Sequence, residues 1–150
     1  MNPADGSHFR PSSDEAPRGR LPWRLILLLG AVALLRPLMH ITGVSGGGDV
    51  LPKGLFAVGA TVVISAVWIG VVLLARVSRP FLTLVLAGLV YAVLSMVLSA
   101  VLSPVLGGEL QGPFAQPIAI PMVLIVNAIW GAVVGGIAAG LRAALVSRHR

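Results

Sequence analysis

Apolar positions along this chain fall in four long blocks, not in stripes. The first runs from Leu21 to about Val44, the second from Leu55 to Ala75, the third from Phe81 to Leu106, and the fourth from Ile118 to Val146. A helix on the surface of a soluble domain alternates an apolar face with a polar one. These blocks have apolar residues on every side. Each holds about 20 helical residues, enough to cross a hydrocarbon core of about 30 Å. Many of the residues are β-branched, but an open strand in lipid leaves its backbone groups unpaired, so only helices or a closed barrel can span. Long runs without period-2 alternation argue against a barrel. The expected fold is all-α, an integral membrane protein with four transmembrane helices in an antiparallel bundle.

The polar segments divide the blocks. Residues 1–20, MNPADGSHFRPSSDEAPRGR, are rich in Pro, Ser, Gly and charge, and are expected to form a disordered N-terminal tail. Residues 147–150 form a short basic C-terminal tail, and the membrane domain is expected over 21–146. The linkers 45–54, SGGGDVLPKG, and 107–117, GGELQGPFAQP, are Gly-rich with one acid each, whereas 76–80, RVSRP, is a tight basic turn. Pro80 suits the first turn of the helix that follows.

Charge sets the orientation. Arg10, Arg18, Arg20, Arg24, Arg76, Arg79, Arg142, Arg148 and Arg150 flank one set of block ends, and Lys53 alone flanks the other. By the positive-inside rule both termini and the 76–80 turn are expected in the cytoplasm, with the chain integral to the cell membrane. Composition agrees. The chain is 57% hydrophobic and 11% charged, where soluble domains carry about 25% charged residues. The net charge of +6 sits at block ends and not along a polar face, so nucleic acid is not an expected partner. The expected partners are membrane lipids, a second copy of the chain, or another membrane protein.

Candidate chemistry is sparse. There is no Cys, and all five acids lie outside the blocks, at Asp5, Asp14, Glu15, Asp49 and Glu109. Proton-coupled transporters usually carry an intramembrane carboxylate, and paired intramembrane aspartates are absent for the same reason. GGGDVLPKG lacks the G-K-[ST] order of a phosphate loop, and there is no H-E-x-x-H. A Ser99–His40 pair lacks a third member and a nucleophile motif. No catalytic residue, metal site or cofactor is expected, and the chain is read as non-enzymatic.

One cation stands inside a block. Arg36, in LLRPLMH, follows eleven residues without charge or hydrogen-bonding side chain. At about 1.5 Å per residue it lies roughly 12 Å below the outer boundary, a depth near those of Thr61, Ser65, Ser95, Ser99 and Asn127. Tyr91, Trp68 and Trp130 fall deeper, at about 18–22 Å. Three arrangements are open to Arg36: snorkelling to outer headgroups beside a break at Pro37, pairing inward with Asn127, helix carbonyls, Asp49 or Glu109, or an anion contact in an outward-facing cavity with His40 nearby. The depth of Trp68 and Trp130 places them inside the bundle, since interfacial Trp prefers the headgroup region.

The fourth block carries two small-residue stripes, Gly131-x-x-x-Gly135 and Gly136-x-x-x-Gly140, with Ala128, Ala132 and Ala139 beside them and Asn127 at the head of the first. Such stripes let backbones approach closely, within one bundle or between chains. The function expected is therefore that of a small membrane protein acting through helix packing, as an oligomer or as an accessory subunit of a membrane complex. The alternatives are a transporter or ligand-binding protein built on a cavity around Arg36, and, with least support, an intramembrane enzyme.

Overall fold

A computed structural model describes residues 21–41, 53–107 and 112–147, and these are helical with short connections and no strand. In chain order the elements are α1 (Trp23–Ala33), α2 (Leu35–Ile41), α3 (Lys53–Leu74), α4 (Pro80–Gly107) and α5 (Ala119–Ser147). The tail 1–20, residues 148–150, Asp49, Glu109 and the side chain of His40 lie outside the described residues. α4 and α5 are each long and apolar enough to cross a membrane, while the apolar stretch of α3, Val58–Leu74, is shorter.

The first apolar block is two helices, not one. Pro37 has no N–H to offer the carbonyl of Ala33, and its ring crowds that carbonyl. α1 accordingly stops at Ala33. The Leu34 N–H turns back to the Ala31 carbonyl at 3.0 Å, and helix resumes with Leu38 N–H on the Leu34 carbonyl at 3.1 Å. The break therefore falls three residues before the proline. Pro80 opens α4, where its missing N–H costs no intrahelical bond.

α4 and α5 form the closest pair. Gly88 lies against Asn127 and Gly131, Gly131 against Leu84 and Val85, and Gly135 against Phe81, so numbers rise on one helix as they fall on the other and the pair is antiparallel. α1 packs on α4, and α3 packs on α5. Ser65 and Trp68 meet Trp130, while Val77, just after α3, meets Arg142, so α3 and α5 run parallel. The consecutive helices α3 and α4 touch little despite their short connection. The core is drawn from all four long helices, with Ile26 and Leu29 on α1, Ile64 and Trp68 on α3, Leu84 and Tyr91 on α4, and Val134 and Ala138 on α5.

The α3–α4 turn is a Schellman motif with an unusual residue in it. The Arg76 N–H donates to the Leu73 carbonyl at 3.1 Å, and the Val77 N–H donates to the Val72 carbonyl at 3.2 Å. This brings Val72 and Val77 together in the core, the apolar contact that accompanies the motif. Arg76 takes the left-handed conformation, at φ 47°, where glycine is the usual occupant.

The exterior inverts the pattern of a water-soluble protein. Large apolar side chains are exposed on α1, α3, α4 and α5, reaching 86% at Leu74 and 79% at Val105, and Ile118, just before α5, is 85% exposed. A soluble monomer seldom exposes apolar patches beyond a few hundred Å².

Candidate functional site

The four long helices meet at an aromatic junction. The indole N–H of Trp68 on α3 donates to the Leu29 carbonyl of α1 at 3.0 Å. The indole N–H of Trp130 on α5 donates to the Ser65 hydroxyl oxygen of α3 at 3.1 Å, and that hydroxyl donates to the Thr61 carbonyl at 2.8 Å. The two indoles stack, with ring centroids 4.8 Å apart and planes 26° apart. Tyr91 of α4 stands edge-on to Trp130, with centroids 6.0 Å apart. Such pairs contribute about 0.5–1.5 kcal/mol beyond their buried area. Trp68 is fully buried, in keeping with its expected place inside the bundle. Both indole N–H groups and the Ser65 hydroxyl are committed to partners, so the junction ties α1, α3 and α5 to one another.

The remaining polar residues on the helices turn mostly to their own backbones. Ser95 donates to the Ala92 carbonyl at 2.9 Å, Ser103 donates to the Ser99 carbonyl, and Asn127 donates its amide N–H to the Val123 carbonyl at 2.8 Å. Local bonds of this kind supply a partner where water is scarce. The side chain of Asn127 thus bonds along α5 instead of across the α4–α5 interface. It is the backbone carbonyl of Asn127 that faces α4, at Gly88. The loop after α4 comes down on Ser99. A Cβ at Gly112 would lie 2.5 Å from the Ser99 Oγ, and its φ of +88° admits glycine readily and other residues only with strain.

Arg36 sits half-buried on α2, which leans on α1 and α3. No hydrogen bond or ion pair joins it to Asn127 or to any other described residue. The residues expected at similar depth are distributed over separate helices, with Ser65 and Thr61 on α3, Ser95 and Ser99 on α4 and Asn127 on α5.

The two glycine stripes part company. A Cβ at Gly131 would lie 2.5 Å from the Leu84 carbonyl oxygen and 2.9 Å from the Val85 Cα, and one at Gly135 would lie 2.9 Å from the Phe81 carbonyl oxygen. Opposite them, a Cβ at Gly88 would lie 2.5 Å from the Asn127 carbonyl oxygen and 3.5 Å from the Gly131 Cα. At Gly136 and Gly140 an added Cβ meets nothing within 4 Å, and both residues are exposed. Sequence reading did not single out Gly88, nor Gly30, whose added Cβ would lie 2.6 Å from Val90 of α4. The available signal was weak but real: an isolated glycine within an apolar helix usually has a packing reason.

Two further features lie near the α3–α4 turn. Thr83 is fully buried and its hydroxyl has no hydrogen-bond partner. An open groove of about 550 Å³ runs between the turn and the end of α5, lined by Ser78, Pro80, Ala139, Arg142, Ala143, Val146 and Ser147. Arg142 donates from Nη1 to the Val77 carbonyl and so braces the turn against α5.

No protein-family model, no curated protein and no solved structure matches this chain.

Proposed function

We propose that this chain is a small, non-enzymatic, multi-pass membrane protein that acts by helix packing, and that the Gly136–Gly140 face of α5 receives a second copy of the chain or a helix of a larger membrane complex. The observation that carries this reading is the open space over those two glycines. Gly131 and Gly135 are consumed by α4, yet the second stripe lies exposed beside Val133 and Ile137. In lipid, association rests on close packing and not on apolar burial, and exposed glycine is the residue that permits it.

The membrane setting is supported by the apolar exterior and by the length of α4 and α5. The brace from Arg142 to Val77 puts the basic turn and the end of α5 at one end of the bundle, in keeping with a four-span arrangement that has both termini in the cytoplasm. No comparable observation favours transport around Arg36, because Ser65, Ser95, Ser103 and Asn127 each donate within their own helix.

The test is Gly136→Leu in the full chain, measured by cross-linking in membranes and by mass determination in mild detergent. The expected result is an unchanged melting temperature with loss of the cross-linked species. A wild-type chain that is monomeric and captures no membrane partner, or a mutant that assembles like wild type, refutes the reading. Reporters fused at residues 1 and 150 should both read cytoplasm, and opposite signals would refute the four-span arrangement.

A further inference from the structure

The groove at the α3–α4 turn is amphipathic, and no carboxylate among the described residues balances its charge. Its lining joins apolar Ala139, Ala143 and Val146 to polar Ser78, Arg142 and Ser147. Arg142 is half-buried, and its partner is a neutral carbonyl. Every acid in the chain lies outside the described residues, so no described carboxylate balances this guanidinium. Arg76 and Arg79 stand exposed on the same turn. Pro80, the first residue of α4, lines the groove, which places the positive end of that helix dipole beside the cation. A guanidinium partly removed from water gains most from an anion that accepts two N–H bonds, and phosphate does so.

We infer that this groove binds the phosphate of an anionic phospholipid, with Arg142 as its principal contact and the glycerol and upper acyl chain running over Ala143 and Ala139 towards the middle of the membrane. The inference rests on the membrane reading above. A lipid fits better than a free anion because the site joins a guanidinium to the apolar side chains of Pro80, Ala139, Ala143 and Val146.

The test uses the full chain in nanodiscs of phosphatidylcholine with or without phosphatidylglycerol of the same acyl chains. Retained lipid is read by native mass spectrometry, and stability by thermal melting. Wild type should prefer phosphatidylglycerol by roughly fivefold for each basic residue engaged, and should melt higher in its presence by mass action. Arg142→Gln should abolish both effects. Since Arg142 also braces Val77, a second variant is needed. Ala143→Glu lines the groove at an exposed position, and it should abolish the preference while melting like wild type in pure phosphatidylcholine. Equal retention of the two lipids by wild type, or a preference that survives either variant, overturns the inference. So does inorganic phosphate that matches the effect of phosphatidylglycerol, which would make this a site for a soluble anion. A preference that emerges only in Asp14→Asn, Glu15→Gln would assign the groove to the chain's own acidic segment and equally overturn it. Alkaline extraction separates the two levels. Release of wild type from membranes refutes the membrane reading, whereas an embedded chain without lipid preference refutes the lipid site alone.

Discussion

α5 carries the same motif twice, five residues apart, and the two copies do opposite things. Around Gly131 and Gly135 the backbone of α4 comes so near that a single added carbon would strike a carbonyl. Around Gly136 and Gly140 there is nothing to strike. A small-residue stripe therefore says only that a helix is able to be approached. Which neighbour approaches is decided by where the stripe points, and in α5 the two stripes point to different sides.

The comparison is broken most severely at the inner stripe. Gly131→Leu forces a side chain into the Leu84 and Val85 backbone, which unlike a flexible side chain cannot step aside. A loss of about 3 kcal/mol, at the upper end of the usual range for overpacking, is expected by denaturant titration in detergent. Wild-type stability in that variant would mean that α4 and α5 do not meet there. A smaller effect is expected at the aromatic junction. Trp130→Phe keeps a ring but removes the N–H that reaches Ser65, at a cost of about 1 kcal/mol by the same titration. The sharpest contrast uses one substitution at two places. Gly131→Ala should destabilise, while Gly140→Ala should be neutral or stabilising by about 0.5–1 kcal/mol, because alanine is the better helix residue where space is free. Equal effects at the two sites would erase the distinction between the stripes. On the facing helix, Thr83→Val replaces a buried hydroxyl that lacks a partner with a methyl of similar shape. It should raise stability by up to about 1 kcal/mol, and a loss instead would reveal a partner for that hydroxyl.

The positions of the helices were legible in the sequence because length and apolarity are one-dimensional properties. The four blocks match α1–α2, α3, α4 and α5 closely, and depth alone put Trp68 inside. The faces of the helices were not legible. In water a polar stripe marks the outside of a helix, but in a uniformly apolar helix both sides read alike. For that reason the sequence presented both glycine stripes as equal, passed over Gly88 and Gly30, and offered Asn127 as a contact across the interface when its side chain bonds along its own helix. The break in the first block was legible in kind and misplaced in position, since a proline disturbs the carbonyl four residues before it, here Ala33. Arg142 was read only as a mark of topology. Its brace to Val77 depends on two residues 65 positions apart, a relation that no local pattern announces.

The aromatic junction also bears on the order in which this protein is completed. Its bonds join Trp68 to Leu29, 39 residues earlier, and Trp130 to Ser65, 65 residues earlier. As the chain leaves the ribosome, Trp68 can find Leu29 as soon as α3 is made. The Ser65 oxygen, whose own hydrogen goes to Thr61 within α3, waits for α5 to receive the Trp130 N–H, and the second face of the Trp68 ring waits with it. So does the backbone of α4 around Leu84, Val85 and Gly88, which has no other close neighbour on that side. The last helix is thus a keystone: the four helices before it stand half-assembled until it arrives, and its docking closes the tightest seam and the aromatic cluster together. A chain stalled between α4 and α5 would be left displaying one uncovered face of the Trp68 ring and a bare strip of α4 backbone around Leu84, Val85 and Gly88. The finished protein hides both surfaces.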